Sequence, residues 1–142
     1  MPDILEGGAA PAWLRIIQGM QGLHLTTDLS GCNAASDVMT NTEALRALCL
    51  GAVAAAGLQA VGELFHRFAQ AGGITGVVLL AESHLAVHTW PELGAVTLDV
   101  YVCNLQTNND HRAQLLMSTL AAAFDAQGAE HHRLQRGGEV VA

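Results

Sequence analysis

The alternation of apolar and polar positions predicts a chain built largely from strands. The run HLTTDL at residues 24–29 alternates and is rich in strand-forming residues, which predicts a strand that ends at the turn Ser30-Gly31. The continuous apolar run GVVLLA at residues 76–81 is typical of a strand buried on both faces. Further extended segments are predicted at residues 58–68, 84–89, 96–103 and 130–136.

Two longer segments have the composition and the end signals of helices. Thr40 and Glu43 have the spacing of a capping box, and the alanine-rich and leucine-rich residues after them predict a helix over residues 41–56. Asn108-Asn109-Asp110 offers a second helix start, and the run AQLLMSTLAAAF continues that helix until Gly128.

The order of these elements indicates the fold class. It is βαβββαβ or close to it, with the helices between groups of strands rather than after each strand. This order favours an α+β fold, a two-layer α/β sandwich in which a mainly antiparallel sheet carries two helices packed on one face. The 142 residues are 51% apolar, which is enough for one core. We expect a single domain over residues 22–142, preceded by an N-terminal extension over residues 1–21.

Charge and residue usage exclude two classes of function. A net charge of −7 would repel phosphate backbones, so nucleic acid is not an expected partner. All 6 basic residues are arginine, and the chain has no lysine. Enzymes that use pyridoxal phosphate hold it as a Schiff base on a lysine, so this cofactor is excluded.

The cysteines and the N-terminal residues indicate a compartment. Cys32, Cys49 and Cys103 cannot all pair, and their wide spacing gives no CxxC zinc motif, so we interpret them as reduced thiols in a cytoplasm. Asp3 and Glu6 lie where a signal peptide would be basic. No apolar run approaches about 20 uninterrupted residues. We therefore expect a cytoplasmic protein without a membrane segment.

One stretch carries the candidate chemistry, LLAESHLAVHTWPELGAVTLDVYVC at residues 79–103. It resembles the segment of prokaryotic S-adenosylmethionine decarboxylases in which Glu-Ser-His is the self-cleavage site, followed by a histidine, by Thr-Trp-Pro-Glu and by a cysteine. The runs GLHLTTDLSGC and ELFHRF are also similar to that family, so the resemblance covers residues 22–136. The matching residues are Glu82, Ser83, His84, His88, Thr89, Trp90, Pro91, Glu92 and Cys103.

The resemblance implies a proenzyme, or zymogen, that makes its own cofactor by autocatalytic cleavage. The hydroxyl of Ser83 would attack the carbonyl of Glu82 and convert the amide into an ester. By the same resemblance, His88 is the processing base that takes the serine α-proton, a task that an imidazole commonly performs. Elimination and hydrolysis would then leave a pyruvoyl group at position 83.

The resemblance also implies the reaction. The pyruvoyl ketone would form a Schiff base with the substrate amine and accept electrons as carbon dioxide leaves. Cys103 would be the proton donor. The implied product of S-adenosylmethionine is the aminopropyl donor for spermidine, within polyamine biosynthesis. The implied assembly is a homodimer of cleaved protomers.

Further site residues follow from the same resemblance. Thr75 stands where the family has a serine that helps processing, which keeps a hydroxyl and adds a methyl group. Phe68 would stack on adenine, although the chain has one extra residue between Phe68 and Thr75 relative to the usual pattern. Glu92 matches the glutamate expected to bind the ribose hydroxyls, and Leu93 follows it where an aromatic residue is usual.

Two other functions remain open. A pyruvoyl-dependent ornithine or arginine decarboxylase would keep the chemistry and change the substrate. A non-cleaving regulatory homologue would keep only the fold. A metal site at His84 and His88 is not expected, because four strand residues span about 13 Å, too far for one ion.

Overall fold

The computed structural model describes residues 20–138. Two helices of ordinary length, α2 (Thr42–Ala55) and α3 (Asp110–Ala122), accompany a one-turn helix α1 (Asp37–Thr40) and a 3-10 turn at Pro91–Leu93. The strands are β1 (Gln21–Ser30), β2 (Ala60–Arg67), β3 (Ile74–Leu80), β4 (Ser83–Trp90), β5 (Ala95–Cys103) and β6 (Gly128–Gly137).

These strands form one sheet in the order β2-β3-β4-β5-β1-β6, and every neighbouring pair is antiparallel. The predicted α+β fold is therefore confirmed. The four strands between the long helices correspond to the extended segments predicted at residues 58–68, 76–81, 84–89 and 96–103, so the observed order has one strand more than the written order βαβββαβ.

The two faces of the sheet differ in burial. Alternate strand residues such as Leu25, Val78, Leu85 and Val100 are buried with the apolar sides of α2 and α3, which we call the core face. Among residues 20–138, no helix contributes to the opposite face, which we call the open face. Side chains on the open face are half-buried or exposed, whereas the residues next to them in each strand point to the core face.

One strand prediction was wrong in its burial. The run 76–81 was expected to be covered on both faces, but Leu79 is 50% exposed while Val78 is fully buried. An antiparallel sheet with helices on one side only covers every second residue, whatever the hydrophobicity of the residues between. The apolar side chain of Leu79 on the open face of β3 is therefore left half exposed.

The helix ends also differ from the prediction. Asn41, not Thr40, caps α2, and its side-chain oxygen accepts a hydrogen bond from the backbone N–H of Ala44 at 3.0 Å. The capping box is absent because Thr40 is the last residue of α1. The helix α3 ends at Ala122, six residues before the predicted stop at Gly128.

The cysteines of the core are chemically quiet. Burial raises the pKa of the Cys49 thiol to about 12, and the nearby negative charge of Glu63 adds to this. Burial also raises the pKa of Cys32. Both thiols stay protonated at neutral pH, which makes them packing groups rather than nucleophiles.

The described residues bear only in part on the predicted N-terminal extension and on the predicted lack of a membrane segment. The extension over residues 1–21 lies almost wholly outside the described residues, and Gln21 is already the first residue of β1. No helix of the described range is both long and apolar enough to span a membrane.

Adjacent leucines in α3 provide a test of the packing. Leu116 is fully buried and Leu115 is 43% exposed. Leu116→Ala should lower the free energy of unfolding by about 2–5 kcal/mol, because it leaves a cavity between α3 and the sheet. Leu115→Ala should change it by less than about 0.5 kcal/mol. Urea unfolding followed by circular dichroism measures both, and equal losses would contradict the packing described.

Candidate functional site

The predicted cleavage site lies in a tight turn between β3 and β4. Leu80 pairs with Ser83, so Ala81 and Glu82 alone form the turn. Glu82 has φ 55°, in the left-handed region that costs a non-glycine residue roughly 1–2 kcal/mol. Backbone strain is thus stored on the residue that donates the carbonyl of the Glu82-Ser83 bond.

Ser83 and Cys103 meet at this end of the sheet. The Oγ atom of Ser83 accepts a hydrogen bond from the backbone N–H of Cys103 at 3.1 Å. Cys103 is the last residue of β5 and is half-buried, as is Ser83, the first residue of β4. The pairing of β4 with β5 therefore places the predicted nucleophile beside the predicted proton donor, 20 positions away in sequence.

His88 lies further along β4, on the open face. It sits directly opposite Thr75 of β3, and the threonine hydroxyl and His88 Nδ1 form a hydrogen bond of 2.9 Å. The imidazole also stacks on the indole of Trp90, with ring centroids 5.7 Å apart. Both contacts fix the ring, so the threonine hydroxyl performs the orienting contact despite its extra methyl group.

A cavity of about 280 Å³ adjoins His88. Phe65 faces the other way, since it lies over Gly76 in the core layer, so only the second phenylalanine of this segment reaches the cavity. The extra residue before Thr75 has therefore not moved Phe68 away from the other predicted substrate contacts. The lining residues are Phe68, Gln70, Gly73, Thr75, His88, Thr89, Trp90 and Glu92.

The predicted site residues thus form two groups within one chain. Ser83 and Cys103 lie at one end of the sheet, while His88 and its cavity lie at the other. Ser83 and His88 are five residues apart on a straight strand, which corresponds to roughly 17 Å. A single chain does not bring His88 to the cleavage site.

Sequence reasoning missed a polar cluster on the open face. His24 of β1 and His84 of β4 both direct Nε2 at the same carboxylate oxygen of Asp99 on β5, at 2.8 and 2.9 Å. The signal was present in the alternation, because each residue occupies a position that the strand pattern turns away from the core. Gln70, another missed residue, lines the cavity from the loop that holds the extra residue.

Comparison with known proteins bears on the whole domain. The sequence model of the S-adenosylmethionine decarboxylase family matches residues 23–137. The S-adenosylmethionine decarboxylase proenzyme of Picrophilus torridus is 31% identical over 119 residues, which are 84% of this chain and 86% of that protein. The proenzyme of Aquifex aeolicus is 49% identical over 82 residues, and that alignment spans 58% of each protein.

Solved structures agree with the sequence comparison. The crystal structure of the adenosylmethionine decarboxylase from Aquifex aeolicus superimposes with a TM-score of 0.74 at 34% identity, covering 86% of this chain and 94% of that chain. The likeness therefore extends over most of this chain and nearly all of that one. On its sequence and its fold alike, this chain belongs to the S-adenosylmethionine decarboxylase family.

Proposed function

We propose that this chain is a proenzyme that cleaves itself between Glu82 and Ser83 and then decarboxylates S-adenosylmethionine. The observation that carries the proposal is the strained turn, in which Glu82 at φ 55° directly precedes a serine hydroxyl held beside Cys103. Membership of the family supplies the reaction class, and the turn supplies a reason for this particular peptide bond to react.

The first step would convert the strained amide into an ester. The Ser83 hydroxyl attacks the Glu82 carbonyl carbon, the C–N bond breaks, and the serine nitrogen becomes a free amine. Because the Oγ atom accepts a hydrogen bond from Cys103 N–H, its own proton is free to leave toward a base. The strain at Glu82 favours this step, since the chain relaxes when the peptide bond is exchanged.

The second step would need a base at the α-proton of Ser83. Removal of that proton breaks the Cβ–Oγ bond of residue 83, so that Oγ leaves as part of the Glu82 carboxylate and the first chain ends at Glu82. Hydrolysis of the residue left at position 83 releases ammonia and gives a pyruvoyl group. His88 suits the base role by its chemistry and by its fixed ring, but it lies roughly 17 Å away in the same chain.

The residues around position 83 fit a pyruvoyl group. When formed, the group supplies a ketone for the substrate amine and an electron-accepting carbonyl for decarboxylation. Ser83 is half-buried, which would shield that ketone partly from water, and its neighbour Cys103 carries a thiol that can deliver a proton. The cavity at the other end of the sheet would hold the nucleoside of the substrate.

The lining of that cavity favours a nucleoside over a basic amino acid. Phe68 and Trp90 offer aromatic faces on which a purine can stack. Glu92 offers a carboxylate that accepts hydrogen bonds from vicinal hydroxyls. A single carboxylate would also attract the distal cation of ornithine or arginine, but those substrates carry no purine to stack on the two aromatic faces.

A second copy of the chain would join the two groups of site residues. Cys103 and His88 both occupy the open face, at opposite ends of it, and apolar Leu64 and Leu79 are exposed there. A two-fold axis that runs across the strands would place the Ser83 end of one copy over the His88 end of the other. Such a homodimer forms two sites, each with Ser83 from one chain and His88 from its partner.

Cleavage and substrate choice test the function directly. The denatured protein should show two chains by intact mass, the second blocked by a pyruvoyl group, while Ser83→Ala should show one uncut chain. The cut protein should release carbon dioxide from S-adenosylmethionine and not from ornithine or arginine. Phe68→Ala should raise KM about tenfold or more through lost stacking, whereas Leu105→Ala, exposed outside the cavity, should not.

Other results would select the alternatives. A wild-type chain that stays uncut would favour a regulatory homologue. A cut chain that decarboxylates ornithine or arginine, with KM unaffected by Phe68→Ala, would favour the change of substrate.

The strain at Glu82 has its own test. Glu82→Gly should release the left-handed penalty of roughly 1–2 kcal/mol, and so slow self-cleavage by up to about thirtyfold. Ala81→Gly is the matched control, because Ala81 shares the turn but not the positive φ. Cleavage of pulse-labelled chains, followed by gel electrophoresis, gives both rates. Equal rates for the two glycine variants would show that the strain does not drive cleavage.

Complementation between inactive variants tests the shared site. His88→Ala and Ser83→Ala should each stay uncut when expressed alone. When the two are expressed together, the mixed dimer should contain one complete site and cleave the His88→Ala chain, because that chain keeps Ser83 and its partner keeps His88. Tags of different mass identify the cut chain.

The pattern of cleavage distinguishes the possible outcomes. Cleavage of the His88→Ala chain alone is the expected result. If neither chain is cut although mixed dimers form, or if His88→Ala cleaves itself without a partner, the shared site is wrong.

A further inference from the structure

The cluster of His24, His84 and Asp99 lies outside the proposed chemistry. Its three residues come from three adjacent strands in the middle of the sheet, β1, β4 and β5. The two Nε2 atoms approach one Asp99 oxygen at 2.8 and 2.9 Å, and all three donor atoms lie within 4.8 Å of one another. All three side chains are half-buried.

The sheet holds these side chains in place before any ligand arrives. Tyr101 lies between His24 and His84 in the strand register, and Asp99 is two residues along on the same face. The tyrosine ring stacks on His84 and meets the edge of His24, with centroids 5.6 and 5.9 Å away. A side chain at Gly22 would come within 2.7 Å of the tyrosine hydroxyl, so glycine there leaves room for this packing.

We propose that His24, His84 and Asp99 bind one divalent transition-metal ion of the zinc class. Two imidazole nitrogens and a carboxylate oxygen are the donor set that such ions prefer. Tetrahedral ligands at 2.0–2.1 Å stand about 3.3 Å apart, so each Nε2 atom needs to move only about half an ångström away from the Asp99 oxygen, and the two Nε2 atoms already lie within 4.8 Å of each other. The fourth position is left to water or to a group of the partner chain.

The alternative is a hydrogen-bond network without an ion, and Arg136 distinguishes the two. In the network, Arg136 donates to Nδ1 of His24 at 3.3 Å, so Nε2 carries the proton given to Asp99. When Nε2 binds a metal, the proton resides on Nδ1, which then faces a donor and a positive charge. Arg136 is exposed and can turn into solvent. Moving it away from His24 costs free energy, and this cost lowers the metal affinity.

Two substitutions in and beside the cluster should have opposite effects on metal affinity. His24→Gln removes a ligand, and even partners behind the ligands change metal affinity 10- to 100-fold, so a loss of at least about 100-fold is expected. Arg136→Gln removes the positive charge and offers a carbonyl oxygen to the Nδ1–H of His24, so it should increase the affinity. A purely structural network predicts no gain from the second change.

The experiment uses chelator-treated, full-length protein titrated with Zn²⁺ by calorimetry and with Co²⁺ by visible absorption. The wild type should bind one ion per chain with the absorption of tetrahedral Co²⁺, and unfold at a higher temperature with metal. Asp99→Asn should lose binding as His24→Gln does. His132→Gln is the matched control, because His132 belongs to a different and exposed group, formed with Asp28 and Glu130.

The outcomes separate cleanly. Absence of one-to-one binding to the wild type, an unchanged affinity in His24→Gln, or a loss that follows His132→Gln would each overturn the proposal. Should Asp99→Asn fail to fold by circular dichroism, the opposite shifts in His24→Gln and Arg136→Gln still decide. The readouts do not depend on cleavage, so they stand apart from the outcome of the proposed function.

Discussion

The register of β4 between its two antiparallel neighbours is the constraint on which the site depends. Pairing with β3 puts Thr75 opposite His88, and pairing with β5 puts Cys103 beside Ser83. Because side chains alternate between faces, a slip of one residue would turn Leu85 and Val87 out of the core and His88 into it. The burial of these apolar residues against the helices therefore fixes the positions of groups that are themselves polar.

One-sided burial explains the division of labour within the sheet. The helices exclude water from the core face and leave the open face free to carry imidazoles, carboxylates and hydroxyls. Several of the polar side chains there pair across strands, as His24 and His84 do with Asp99. Within the described residues, no buried side-chain polar atom lacks a partner. The same face also exposes the apolar side chains of Leu64 and Leu79, which the proposed homodimer would cover.

Strain and rigidity are arranged in complementary places. The only non-glycine residue with a positive φ in the β3–β4 turn is Glu82, whereas the strands on either side are fully paired. A fully paired hairpin can hold a strained turn, because relaxing the turn would break the ladder next to it. The left-handed conformation of Glu82 is thus held next to the Glu82-Ser83 peptide bond.

The sequence by itself determined the strands, the two long helices and the family, because periodicity and a contiguous motif are local properties. It misjudged the burial of residues 76–81 and the cap of α2, because packing on one face and the start of α1 depend on neighbours distant in sequence. Tertiary structure alone decided that Ser83 meets Cys103 while His88 stays at the far end of β4. It also joined His24 and His84 to Asp99 across separations of 75 and 15 positions, since strand pairing, not sequence spacing, sets which side chains touch.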